Sequence, residues 1–440
     1  MANENNAKKR MLGWYFDFNL LYRILIGLAA GVVLGLLFDG GILRIKPFGF
    51  EIPIQWIKPF GNVFLRLLKM VMMPIILSTL IVGASSVSPA NLGRVGLRIV
   101  VLYLITSALA VLIGLGMGAL FHPSAELSGV VEAAGKEAQA PALSDTLLGI
   151  VPESVARSIV NETILAVIFF SLLFGMGIAS LKNSSDQRLK TAGEVLYSFF
   201  DGIAEVMMMI IKGIMQYAPI GVLALVAAVV AENGARIIGS LGVVTLACFA
   251  GYALHIIAVY GGLVKWYGGL SLRRYFKDAK DPFITAFVTR SSNGTLPITM
   301  ESAENLGVHK DIYSFSLPLG ATINMDGTAI YQGVCATFIA LSVWGHGFSV
   351  PQIGHIVVTA TLASIGTAGV PGAGALMLLL VLESVGLQVT AGSAVAGAYA
   401  MILGIDALLD MGRTALNVTG DLSCTTIVAK KMKELDTAKW

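Results

Sequence analysis

An all-α fold embedded in a membrane is the class that the sequence predicts, on three grounds. Of 440 residues, 56% are hydrophobic and 13% charged, with a mean hydropathy of +0.79; soluble chains carry about 25% charged residues. Apolar stretches long enough to cross a bilayer recur, among them 20–38, 99–120, 164–181 and 238–264. In the last one, 395–429, the polar residues recur at helical spacing rather than alternating as in a strand.

Composition also excludes several classes. The start of the chain is polar, and no small-residue cleavage site follows an apolar region, so no cleavable signal is expected. Cys248, Cys335 and Cys424 all lie in apolar segments, which argues against a disulfide framework or a zinc site. The five histidines show no ligand spacing. No basic patch with interleaved aromatics supports a nucleic-acid role.

Eight full crossings are read along the chain, at roughly 18–38, 52–83, 94–121, 152–182, 189–229, 236–267, 311–341 and 391–429. Several exceed the ~20 residues that a span needs, which predicts tilts, kinks or breaks. Lys8, Lys9 and Arg10 cluster at one terminus, and Lys430, Lys431 and Lys433 at the other. More cations fall in the connections holding Arg94 and Arg98, then Lys182, Arg188 and Lys190, then Arg273, Arg274, Lys277 and Lys280. The stretch 122–150 is acidic by contrast. Positive-inside placement then predicts both termini in the cytoplasm and the acidic loop outside.

Two segments do not read as simple spans. Residues 282–307 break at Arg290-Ser291-Ser292-Asn293-Gly294-Thr295-Leu296-Pro297, and 351–387 carry a glycine-rich centre at 364–374. Each reads as helix, polar or glycine-rich tip, helix, which predicts a pair of re-entrant hairpins. Irregular backbone survives at membrane depth only where protein or a water-filled cavity satisfies it. Paired interrupted segments point to a transporter binding site. Half-helix N-termini at the tips suit a carboxylate. A third break, Asn324-Met325-Asp326-Gly327-Thr328, interrupts the seventh span. An unwound turn there exposes carbonyl oxygens beside Asp326, a donor set suited to a hard cation.

The final span carries Asp406, Asp410, Arg413, Asn417 and Asp421 at steps of three or four, on one helical face. A charge at mid-membrane costs at least roughly 2.5–3.5 kcal/mol, so this stripe predicts a protein-lined cavity that binds something charged. With three acids against one arginine, a purely structural ion-pair ladder is the weaker reading.

The segments TRSSNGTLP, NMDGTA, GTAGVPGAG and DMGRTALNVTGD, in this order and spacing, resemble the dicarboxylate/amino acid:cation symporter family of glutamate and aspartate transporters. The resemblance runs from about residue 18 to 432 and is nearest to the sodium-coupled prokaryotic branch. It implies eight membrane helices plus two re-entrant helical hairpins, a homotrimer in the cell (inner) membrane, and an elevator mechanism. It also implies a scaffold formed by 1–93 and 122–235, and a transport part formed by 94–121 and 236–432.

Residue by residue, the resemblance implies that Asp410 pairs with a substrate α-amino group and that Arg413 holds its side-chain carboxylate. Thr328, Thr414 and Asn417 become further polar partners. Arg290, Ser291 and Ser292 stand at the first tip, Val370 and Gly372 at the second. Sodium, as coupling ion, is implied at three places. Asp421 with Asn324 and Asn417 forms one. Asp326 with Asn324, Tyr103, Thr106 and Ser107 forms a second. Ser364, Ile365 and Thr367 near Met325 form a third. Arg413 argues against the neutral amino acid branch, and Asp410 against C4-dicarboxylates that lack an amino group. Gln332 stands where proton-coupled animal relatives carry a glutamate, which argues against proton coupling and leaves potassium counter-transport open. A proton-coupled symporter of glutamate or a C4-dicarboxylate is the alternative within the family.

Two other classes use buried acids. An intramembrane aspartyl protease needs two aspartates on facing helices and has no use for Arg413 on the same stripe. A channel can use acid rings but does not need two hairpin tips. The expectation is therefore a transporter and not an enzyme, whose partners are an acidic amino acid, sodium and lipid.

Overall fold

The computed structural model describes residues 20–39, 54–85, 96–124, 148, 151–161, 163–233, 236–364, 373–390 and 393–440. Among them the regular elements are all helical, joined by one isolated antiparallel bridge, Val308 to Leu435. The helices are α1 Leu20–Asp39, α2 Lys58–Ser85, α3 Leu97–Phe121, α4 Val155–Val160 and α5 Ile164–Lys182. Then come α6 Gln187–Asn233, α7 Arg236–Leu254, α8 Leu272–Thr289, α9 Ser292–Asn305 and α10 Lys310–Ile323. Last are α11 Asp326–Trp344, α12 Val350–Ser364, α13 Ala373–Ser384 and α14 Ala394–Met432. The α7 rod runs on through π-helical turns at His255–Tyr260 and Leu263–Tyr267.

Six helical stretches among the described residues are long and apolar enough to cross a membrane. They are Lys58–Ser85, Leu97–Phe121, Gln187–Ala231, Gly239–Tyr267, Lys310–Trp344 and Ala394–Met432. Shorter apolar helices cover Tyr22–Phe38, Ala166–Lys182, Val350–Ala363 and Gly374–Ser384. The chain is thus a multi-pass membrane protein.

Close approach of backbones organises the packing, as expected where small residues replace a solvent-driven core. Helices α1 and α2 lie along α6, and α3 lies along α11. At the second crossing a Cβ on Gly333 would come 2.7 Å from the Leu115 backbone nitrogen. Helix α14 sits at the centre, with α7, α8, α9, α10 and α11 packed around it, and its buried residues run from Ala394 to Ala429 with few interruptions.

Two expected boundaries move. The helix leading to the first polar tip starts at Leu272, ten residues before the expected 282, with Pro282 inside it. The amphipathic opening of α8, LRRYFKDAKD, hides that start from a search for apolar runs. In the seventh span only Asn324 and Met325 leave the helix, because Asp326, Gly327 and Thr328 already form the first turn of α11. An aspartate suits a helix N-terminus, where free backbone N–H groups favour negative charge.

Candidate functional site

The first tip is made by two adjacent backbone devices. Arg290 closes α8 in the left-handed conformation, φ 54°, with its N–H bonded to the Ala286 carbonyl at 2.9 Å. Ser291 then caps α9, its Oγ accepting from the Gly294 N–H at 3.0 Å. Ser292 follows, 3% exposed. Ala286, one turn before Arg290, clusters with Ala415 and Val418 of α14, so this tip lies beside the polar stripe. The second tip, with Ile365, Thr367, Val370 and Gly372, lies outside the described residues, and the side chain of Ser364 does too. Its descending arm is described: a Cβ on Gly374 would come 2.5 Å from Arg413 Cζ, so the bare backbone of α13 passes directly over the guanidinium.

On α14, Arg413 is 2% exposed and gripped from its own helix. Its Nε donates to Asp410 Oδ1 at 3.1 Å and its Nη2 to the same oxygen at 2.6 Å. Its Nη1 donates to Asp406 Oδ1 at 3.2 Å. The guanidinium also stacks over the Tyr331 ring, 4.6 Å from its centroid. Thr414 Oγ1 lies 3.5 Å from Asp410 Oδ1, while Asp410 Oδ2 is buried with no hydrogen-bond partner. The weaker ladder reading thus describes part of the stripe: Asp406 and Asp410 share Arg413, two acids against one arginine. Asp406 was expected in the charged stripe but given no contact of its own; its step of seven from Arg413 puts it two turns away on the same face.

One turn further along α14, the stripe meets the break between α10 and α11. Asn417 Oδ1 accepts the Gly327 N–H at 2.7 Å and its Nδ2 lies 3.0 Å from Met325 Sδ. Asn324 Nδ2 donates to Asp421 Oδ1 at 3.0 Å and reaches the Asn417 carbonyl at 3.4 Å. Asn324 Oδ1 is buried with no hydrogen-bond partner. Thr328, in the first turn of α11, is 2% exposed.

Asp326 occupies a second buried pocket. Ser107 Oγ donates to its Oδ1 at 2.6 Å, and Tyr260 Oη donates to its Oδ2 at 2.7 Å. His255 Nε2 lies 3.1 Å from the same Oδ2. Tyr103 and Thr106 do not touch this carboxylate by hydrogen bond: Tyr103 Oη donates to the Ser316 carbonyl at 3.1 Å, and Thr106 Oγ1 to the Tyr103 carbonyl at 3.1 Å. Tyr103 instead borders Asp421, for a Cβ on Gly320 would meet Asp421 Oδ1 at 2.5 Å and Tyr103 Oη at 2.6 Å. His255 and Tyr260 were missed from sequence. They are five apart, a spacing that converges on one carboxylate only because the helix is wound as a π-helix there.

Asp421 with the orphaned Asn324 amide oxygen, and separately Asp326 beside the non-helical turn, offer oxygen donors of the kind that suit a hard cation. Beside them, a cation and a carboxylate with an unused oxygen can grip the two ends of a small zwitterion.

Residues 20–431 match the sequence pattern of the sodium:dicarboxylate symporter family. A proton/sodium-glutamate symport protein of Bacillus caldotenax is 33% identical, over 93% of this chain and 94% of its own length. A proton/glutamate-aspartate symporter of Escherichia coli K12 is 33% identical, over 96% and 95%. The human neutral amino acid transporter B(0) is also 33% identical, over 92% of this chain and 78% of its own length.

Proposed function

The chain belongs to the sodium:dicarboxylate symporter family, and from that premise we propose that it couples uptake of L-aspartate or L-glutamate to sodium. It is a transporter and not an enzyme. The observation that carries the substrate class is the buried Arg413–Asp410 pair. A neutral amino acid brings no second carboxylate for a buried guanidinium, and a simple diacid brings no amino group for Asp410. In the proposed binding step, the substrate side-chain carboxylate takes Arg413 bidentately, Asp406 keeps hold of Nη1, and Asp410 turns to the α-amino group. Thr414, Asn417, Thr328 and the first tip at Arg290, Ser291 and Ser292 complete the cage, with Val370 and Gly372 on the second tip.

The coupling ions are cargo. Asp421 with Asn324 and Asn417 is one proposed place for sodium. Asp326 with Ser107 is another, with Tyr103 and Thr106 assigned as neighbours. The third, at Ser364, Ile365 and Thr367 near Met325, rests on the resemblance alone. We assign the eight-span, two-hairpin arrangement, the division into scaffold and transport parts, the homotrimer, the cytoplasmic termini and the elevator motion on the same ground.

A second reading replaces sodium by protons, favoured by the Bacillus relative's name, which joins both ions. Purified protein in liposomes separates them. The proposal expects concentrative uptake of labelled L-aspartate under an inward sodium gradient. Equal uptake with choline replacing sodium under a proton gradient selects the second reading. No uptake under either gradient removes both.

A further inference from the structure

Beyond α14 the chain doubles back. Lys433 takes the left-handed conformation, φ 63°, and the Glu434 N–H returns to the Ala429 carbonyl at 2.9 Å. The next residues run antiparallel to the turn that joins α9 to α10. His309 N–H donates to the Glu434 carbonyl at 3.0 Å, and Asp436 N–H donates to the Gly307 carbonyl at 2.9 Å, either side of the Val308–Leu435 bridge. Trp440 Nε1 donates to the Leu306 carbonyl at 2.7 Å. Leu435, 8% exposed, enters the apolar cluster that holds Leu306, Val308, Ile312 and Ala303.

These contacts meet the hairpin at the end opposite its tip. The other arm is held to α14 separately: near its start Tyr275 Oη donates to the Thr419 carbonyl at 2.8 Å and lies 2.5 Å from Ser423 Oγ, and near the tip Ala286 clusters with Ala415 and Val418. Helix α9 has 14 residues, so it is about 21 Å long. A tilt of roughly 10° at its base moves Ser291 and Ser292 by about 4 Å, more than the width of a hydrogen bond. A loose base therefore means an open wall beside Asp410.

We infer that residues 433–440 form a strap that holds the base of the first hairpin closed, and that releasing it gives substrate a leak path. The inference rests on the transporter reading above for the leak, and on geometry alone for the strap.

Three changes test it in the full protein in liposomes: Trp440→Ala, Leu435→Asp, and truncation after Lys433, with the single Trp440→Ala as the mildest. Amide hydrogen exchange at His309, whose N–H is donated to the Glu434 carbonyl, is expected to speed up about tenfold or more once the strap is loosened. A cysteine placed by Ala303→Cys, buried in the parent, is expected to label with a membrane-permeant thiol reagent only when the strap is altered. Efflux of preloaded labelled L-aspartate into medium without substrate or sodium is expected to rise several-fold. Unchanged exchange and labelling in all three variants overturns the strap. Faster exchange with unchanged efflux overturns its role in closing the hairpin. Faster exchange in a protein whose parent moves no substrate overturns the transporter reading and leaves the strap standing.

Discussion

Arg413 and Asp410 are joined through a single oxygen: Nε and Nη2 both end on Asp410 Oδ1, at 3.1 and 2.6 Å, while Oδ2 is buried without a partner. A bidentate grip that spread over both oxygens would complete the pair. This one leaves an acceptor ready for a third group, in a place where an unpaired charge is costly.

Asp410→Asn keeps the shape and removes that acceptor's charge. Breaking a buried pair by removing one partner costs about 3–5 kcal/mol. Competition uptake in liposomes should show L-aspartate losing far more than succinate, which has no amino group to lose. An equal loss for both contradicts the assignment of Asp410 to the amino group.

Asp326→Asn should raise the sodium concentration for half-maximal uptake about tenfold, equivalent to ~1.4 kcal/mol. Ser107→Ala removes one charged hydrogen bond from the same carboxylate and should shift it less. Sodium titration of uptake checks both. An unchanged titration for Asp326→Asn removes that carboxylate from the cation path.

Tyr260→Phe removes the shortest bond to Asp326 Oδ2 without changing packing. Hydrogen bonds to charged groups contribute about 1.5–3 kcal/mol. The expectation is a lower thermal midpoint in detergent together with a rightward sodium titration. A purely structural tyrosine would move the midpoint alone.

Two glycines should respond differently to alanine. Gly374→Ala places a methyl against the movable end of Arg413, so folding should survive while acidic substrate affinity falls. Gly327→Ala places it 2.8 Å from the Arg413 Cα, where only backbone can yield, so expression and thermal midpoint should fall as well. Scintillation proximity binding and a melting curve on each variant distinguish the two.

The polar stripe was legible because an α-helix repeats faithfully, and every stripe residue from Asp406 to Asp421 is buried in α14. The break at Asn324 was legible from residue type, though its length was over-read, since Asp326 prefers a helix start to a turn. His255 and Tyr260 were illegible because a π-helical turn changes which residues share a face. The strap was illegible because Leu435 and Trp440 sit in a short polar stretch whose partner, Leu306–His309, lies more than a hundred residues away in sequence.

The assignment of Arg413 is tested most directly by Arg413→Cys, reconstituted and compared with the parent for uptake of L-aspartate and L-serine under one sodium gradient. Removing the guanidinium also frees Asp406 and Asp410 of their shared cation, so Asp410 still offers an acceptor for an amino group. The account predicts that aspartate uptake is lost and that serine uptake appears. A variant that still prefers aspartate over serine by the parent's margin contradicts it.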